Sequence, residues 1–403
     1  MFPPNPHVRV LTGPGLVADL RLLTEVADRE FAALGVGGTV SATSDLPGFR
    51  TALESPDVLV VLPGPDPEAR RLFAERPDAV WLDLTRADAP LPAVAGGERA
   101  PGDTKGAAGT HLHGRGVWGL TWAIRHAVHS LRRPAHRVAY GDHPDQWVEV
   151  RRPYGAADQA TAETREAEGQ VAAETREAEG QVAAEAREAE GRATTVVLLH
   201  GGFWRSVWGA DLMDALAVDL AERGFTAWNL EYRRPDLHGW DATTEDVARG
   251  VALAAESARG PLVVIGHSAG GQLALRVAAD DRRVTLAVSL AGVLDLAEGD
   301  RRHMSSGAVA AALGGSVSEV PESYRRSGPL ERLPLGVPQL IVQGGGDDLD
   351  LVDFGRRYAR AAQESGDQVT YLEMSGDHFD VIDPASPIWR STAGAVAEHH
   401  RPS

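Results

Sequence analysis

The chain has 403 residues, of which 43% are hydrophobic and 24% charged, the balance of a soluble globular protein with roughly two or three domains. A formal net charge of −17 excludes a nucleic-acid surface built of clustered Lys and Arg. The absence of cysteine excludes disulfides, thiolate zinc sites and a Cys nucleophile.

The N-terminus, MFPPNPHVRV, lacks a basic stretch followed by a long apolar one, so no signal peptide is expected. No run of about 18 apolar residues is present to span a membrane. A cytoplasmic enzyme acting on a small-molecule substrate, without nucleic-acid or membrane partners, is the expectation. In the first part of the chain VRVLTG (8–13), DVLVVLPG (57–64) and AVWLDL (79–84) are short apolar runs. They alternate with the helix-like stretches 18–35 and 117–133, a pattern that predicts a mainly parallel sheet covered by helices. Pro134 marks a boundary, so a domain over residues 1–133 is expected. Within it His111, His113 and Arg115 are candidates for a polar pocket or for an ordinary polar loop.

The second domain, 134–403, opens with HRVAYG (136–141) and QWVEVRRP (146–153), which read as an edge hairpin. An 11-residue repeat then runs three times over 161–193, with nine Glu and four Arg and glycines at 169, 180 and 191. A period of 11 keeps one face aligned along a helix. Here that face carries little beyond Ala, Val171 and Val182, too little to hold a fold. The repeat reads as an insertion tolerated in a surface loop, or alternatively as a spacer or docking helix. Beyond it TTVVLLH, TAWNLEY, PLVVIG, VTLAVSLAG, PQLIVQG and VTYLEM follow at helical spacing. Together with the hairpin they predict a mostly parallel sheet of about eight strands.

PLVVIGHSAGGQLALRVAA (261–279) reads as strand, sharp turn and helix, with Gly266-His267-Ser268-Ala269-Gly270 at the turn. In that context a G-x-S-x-G is a nucleophile elbow, its glycines admitting a turn too tight for a Cβ. The partners of Ser268 should follow in the order acid, then histidine, each after a later strand. Asp347 follows PQLIVQG and is the preferred acid, with Asp348 as the alternative; His378 follows VTYLEM and is the base. His200-Gly201-Gly202 ends the strand before the first helix of this domain, where backbone N–H groups can stabilise an oxyanion. Gly201 and Gly202 are therefore candidate oxyanion donors together with the N–H of Ala269. Phe203 and Trp204 are expected to wall the acyl and leaving-group sites, and His267 to pack beside the bound substrate.

These motifs resemble an α/β-hydrolase of esterase type over residue 136 to about 400. HGGFW (200–204) is similar to the HGGxW signature of the kynurenine formamidase (arylformamidase) group, as are YGDHPDQWVEVRRP, NLEYRR (229–234) and DHFDVID (377–383). The resemblance implies that Ser268 attacks the formyl carbonyl of an aryl formamide such as N-formylkynurenine, with no metal or cofactor. One departure is Gln343, where the group carries His, and no catalytic role attaches to it. A general carboxylesterase, a non-catalytic scaffold and a bifunctional dehydratase–hydrolase are the rival expectations. Residues 1–133 resemble, through LTGPGL, VVLPGPDPEA and HLHGRGVWGLTWAIRHAV, the flavodoxin-like fold of type II 3-dehydroquinate dehydratases. That chemistry needs a Tyr after the first strand, and no Tyr precedes Tyr140. The expectation is a catalytically degenerate domain that serves assembly, docking or ligand sensing, including homo-oligomerisation.

Overall fold

The computed structural model describes residues 6–86, 110–153 and 193–399. All but the last residue of the repeat lies outside them. The chain divides into two compact units, Met1–Arg137 and Val138–Ser403. The division falls inside the strand His136–Ala139, which pairs into the second sheet, three residues past Pro134.

The first unit is a five-stranded sheet of β1 (His7–Thr12), β2 (Gly37–Ala42), β3 (Val58–Leu62), β4 (Val80–Asp83) and β5 (Thr110–His113). All its pairings are parallel and the order is β2-β1-β3-β4-β5, the doubly wound flavodoxin-like arrangement. The central strand β3, VLVVL, is almost wholly buried because helices cover both faces of such a sheet. Trp81 on β4 is fully buried and packs edge-on against Phe49 and Phe73. The helix Leu20–Leu34 starts on an Asp19 carboxylate that accepts from the Arg21 and Leu22 N–H groups and stops at Gly35 in the left-handed conformation.

The second unit holds β6 (His136–Ala139), β7 (Trp147–Arg151), β8 (Thr195–Leu199), β9 (Thr226–Leu230), β10 (Leu262–His267), β11 (Val284–Leu290), β12 (Gln339–Gly344) and β13 (Val369–Met374). They form one sheet in the order β13-β12-β11-β10-β8-β9-β7-β6. From β13 through β9 the pairings are parallel, and β7 joins β9 antiparallel. The middle strands β8 and β10 are buried at every residue, which is why they read in sequence as continuous apolar runs rather than alternating ones. Because β8, β10, β12 and β13 are parallel, their carboxyl ends share one edge of the sheet. The chain segments His200–Gly202, Ser268, Asp347 and His378 all leave from that edge.

Candidate active site

The elbow after β10 is as tight as its sequence implies. Ser268 has φ 54° and ψ −117°, a left-handed conformation that a non-glycine residue adopts only when its surroundings enforce it. A Cβ on Gly266 would lie 1.9 Å from the carbonyl oxygen of Gly270, and one on Gly270 would lie 2.2 Å from that of Leu199. Both are backbone collisions that no side-chain movement relieves, so both positions require glycine. The Ser268 N–H donates to the Leu290 carbonyl at 2.8 Å, tying the elbow to β11. Ala269 begins the helix Ala269–Asp280, where the first N–H groups have no partner within the helix.

His378 Nδ1 lies 2.9 Å from Asp347 Oδ2. The carboxylate accepts, which fixes the proton on Nδ1 and leaves Nε2 as the basic nitrogen. The same Oδ2 accepts from Gln343 Nε2 at 2.9 Å, and Oδ1 accepts from the Asp348 backbone N–H at 2.6 Å. The Asp347 side chain is 2% exposed. Asp348 acts elsewhere, since its Oδ1 accepts from the Asp350 N–H at 2.8 Å and caps the helix Leu349–Glu364. Between the two candidate acids, the geometry joins Asp347 to His378. Gln343, which sequence reasoning left without a role, is the second donor that holds this carboxylate.

The glycine loop packs directly on the elbow. A Cβ on Gly201 would meet the His267 carbonyl oxygen at 2.8 Å, and His267 Nδ1 and Ser268 Cβ at 2.9 Å. Gly202 has φ 106°, and a Cβ there would overlap Trp208 at 2.3 Å. Phe203 and Trp204 follow at φ 48° and 56°, two strained non-glycine residues in succession. A buried carboxylate holds this strained segment from beneath. Glu231 accepts from His200 Nε2 at 3.3 Å, from the Ala210 N–H at 3.0 Å and from Arg234. Burial alone would raise its pKa, but the charges of Arg234 and His200 outweigh that and hold it well below the usual carboxylate range. The His200 ring stacks on Tyr232 at 4.3 Å, and the Tyr232 hydroxyl donates to the His200 carbonyl at 2.7 Å. NLEYRR thus supplies the support of the glycine loop, a role its sequence did not signal.

Two expected substrate contacts are placed otherwise. Trp204 is 1% exposed, donates from Nε1 to Gln272 Oε1 at 3.2 Å and packs edge-on against Trp240 at 5.8 Å. It anchors the loop into the core rather than walling a substrate, because the turn at Gly202 sends it inward. His267 is 2% exposed and its ring reaches the loop of His378. Phe203 is only partly buried against the core, and Phe379 sits 5.3 Å from the His378 ring. In the first unit, His111 Nε2 lies 2.8 Å from Asp83 Oδ2, and Arg70 grips both oxygens of Asp83 at 2.6 and 2.7 Å. His113 stacks on His111 at 5.5 Å, and Arg115 is buried.

Among the described residues, His143, Asp145 and His238 bring metal-ligating atoms within 4.8 Å of one another. His143 Nδ1 already accepts the Asp145 N–H at 3.1 Å, and the Asp145 carboxylate accepts from Arg234 at 3.3 Å. These contacts brace the turn between β6 and β7.

Residues 196–382 match a protein family described as the alpha/beta hydrolase fold. The second unit has the alpha/beta hydrolase fold. A truncated carbohydrate esterase from gut microbiota superposes on this chain with a TM-score of 0.51 at 14% identity, over 66% of this chain and 95% of that one. Esterase B from Lactobacillus rhamnosis HN001 does so with a TM-score of 0.50 at 16% identity, over 70% and 91% of the two chains. At these identities the likeness is one of fold. No curated protein matches the sequence. Among the described residues no helix is long and apolar enough to cross a membrane.

Proposed function

We propose that the α/β-hydrolase unit is a serine hydrolase of small acyl esters and amides, with Ser268 as nucleophile, His378 as general base and Asp347 as its orienting acid. The observation that carries this reading is the 2.9 Å bond from His378 Nδ1 to a buried Asp347, on the same sheet edge as a serine held at positive φ. Ser268 Oγ attacks the acyl carbonyl carbon while His378 Nε2 takes its proton. The oxyanion so formed is stabilised by N–H groups of Ala269 and of the Gly201–Gly202 loop, worth a few kcal/mol per donor. His378 then protonates the leaving alcohol or amine, the C–O or C–N bond breaks, and an acyl-Ser268 remains. Water, deprotonated by His378, attacks the acyl carbon and releases the acid.

Within this class the HGGFW resemblance favours an aryl formamide such as N-formylkynurenine. The esterases among the similar folds favour a short-chain ester instead. Hydrolysis of N-formyl-L-kynurenine and of p-nitrophenyl acetate, by the wild type and by Ser268→Ala, separates the two. Fast formamide turnover lost in Ser268→Ala supports the formamidase; ester cleavage alone supports the carboxylesterase. Activity unchanged in Ser268→Ala would refute the triad. For residues 1–133 we propose a non-catalytic role in assembly, including homo-oligomerisation, since the polar cluster around Asp83 is tied up in internal ion pairs. A monomer by light scattering would refute the oligomer.

A further inference from the structure

The residue before the nucleophile has a duty of its own. His267 Nε2 lies 3.0 Å from the backbone carbonyl oxygen of His378. A carbonyl only accepts, so Nε2 carries the proton and Nδ1 is a bare lone pair. That lone pair is buried without a hydrogen-bond partner. A residue present only to fill space would not need to orphan a polar atom: Phe or Leu would fill the same volume without one. The two rings also meet, with centroids 4.7 Å apart, and the His267 ring lies 5.8 Å from Phe379.

The base's own position explains what such a bond would do. His378 follows β13, which is separated from β10 by β12 and β11. No ladder hydrogen bond therefore sets the distance from His378 to the elbow. Its side chain is held by Asp347, across the loop after β12; its main chain is held by His267, on β10 itself. Burial first, then the nearby charge of His378, keeps the His267 pKa well below its ordinary value. The ring is therefore neutral and adds no repulsion when His378 becomes an imidazolium.

We propose that His267 is a positioning residue, whose Nε2–H pins the loop carrying the general base to the nucleophile elbow and so fixes the distance from His378 Nε2 to Ser268 Oγ. The proposal rests on the triad reading above. Its test uses the full-length chain, with steady-state hydrolysis of p-nitrophenyl acetate and the rate at which a fluorophosphonate labels Ser268. His267→Phe keeps the ring contacts and removes the donor. It should lower kcat by about 10- to 100-fold with KM within about threefold, and slow labelling by a similar factor. His267→Gln, whose amide N–H can donate to the same carbonyl, should recover activity to within about fivefold of wild type. Wild-type rates in His267→Phe would overturn the proposal, as would a His267→Gln as slow as His267→Phe. If Phe at this site unfolds the chain by thermal melting, His267→Leu provides the same donor-free comparison. Labelling or hydrolysis that survives Ser268→Ala would instead overturn the triad and leave the positioning question behind it.

Discussion

At the scale of single residues, adjacent Asp347 and Asp348 have separate duties, and the chemistry of each can be tested. Asp347 receives His378 Nδ1–H, so Asp347→Asn, which cannot hold the required tautomer, should lower kcat by about 10³–10⁴-fold. Asp348 caps a helix through a side-chain oxygen that Asn also has, so Asp348→Asn should stay within about threefold of wild type. Steady-state kinetics of the two variants side by side checks both. At Gly201 a Cβ would press on the His267 backbone and on Ser268 Cβ, pushing the loop off the elbow. Gly201→Ala should therefore cost about 10²–10³ in kcat, the usual loss of an oxyanion donor, with little change in KM. Ser268, Asp347 and His378 could be picked out as a set because each comes within four residues of the end of a strand. Gln343 could not, since nothing in its neighbours marks a side chain that folds back on Asp347 four residues on. Trp204 misled for a similar reason: an aromatic beside two glycines does not reveal whether the turn sends it outward or, as here, into the core.

At the scale of elements, the strands buried on both faces were readable and the edge strands of the first unit were not. β2, GGTVSA, is mostly half-exposed and exposed, and β5, THLH, is short and polar, so neither presents an apolar run. Yet Asp83 and His113 lie at the carboxyl ends of β4 and β5. Burial opposes ionisation of Asp83, but hydrogen bonds from His111 and Arg70 outweigh it and hold its pKa at about 2. A carboxylate lowered in this way contributes stability that is present above its unfolded value near 4 and is lost as pH falls toward 2. His113 is pushed down to about 4, by burial first and then by the charges of His111, Arg115 and Arg86. A histidine that the fold keeps neutral costs stability once the unfolded chain can bind a proton, so this loss runs from about pH 6.5 down to about 4. Thermal melts from pH 7 to pH 2 should show the first unit weakening in two stages. His113→Gln should flatten the upper stage and Asp83→Asn the lower, though Asp83→Asn will also lower stability at pH 7 by breaking the Arg70 pair.

At the scale of the whole molecule, every residue assigned to the hydrolase site lies within Val138–Ser403, in the unit that also contains the matched residues 196–382. A fragment of residues 134–403 keeps β6 and the complete eight-stranded sheet. It should retain kcat within about threefold of the full chain if the units fold independently, as compact domains usually do. Loss of ester hydrolysis in a fragment that still melts cooperatively would show that the first unit is needed for activity. The alternation of strands and helices led to an expected boundary at Pro134, and the compact units divide between Arg137 and Val138. Pro134 ends the helical stretch, whereas the sheet of the second unit claims residues from His136 onward.

The pairing of β7 with β9 also has a consequence in time. Val148 pairs with Leu230, 82 positions later in the chain, and 33 of the intervening positions are the repeat. At about 5–20 residues per second a ribosome takes roughly 4–16 seconds to make that stretch. Through that interval WVEVR emerges with no β9 to receive it. About two-fifths of that wait comes from the repeat.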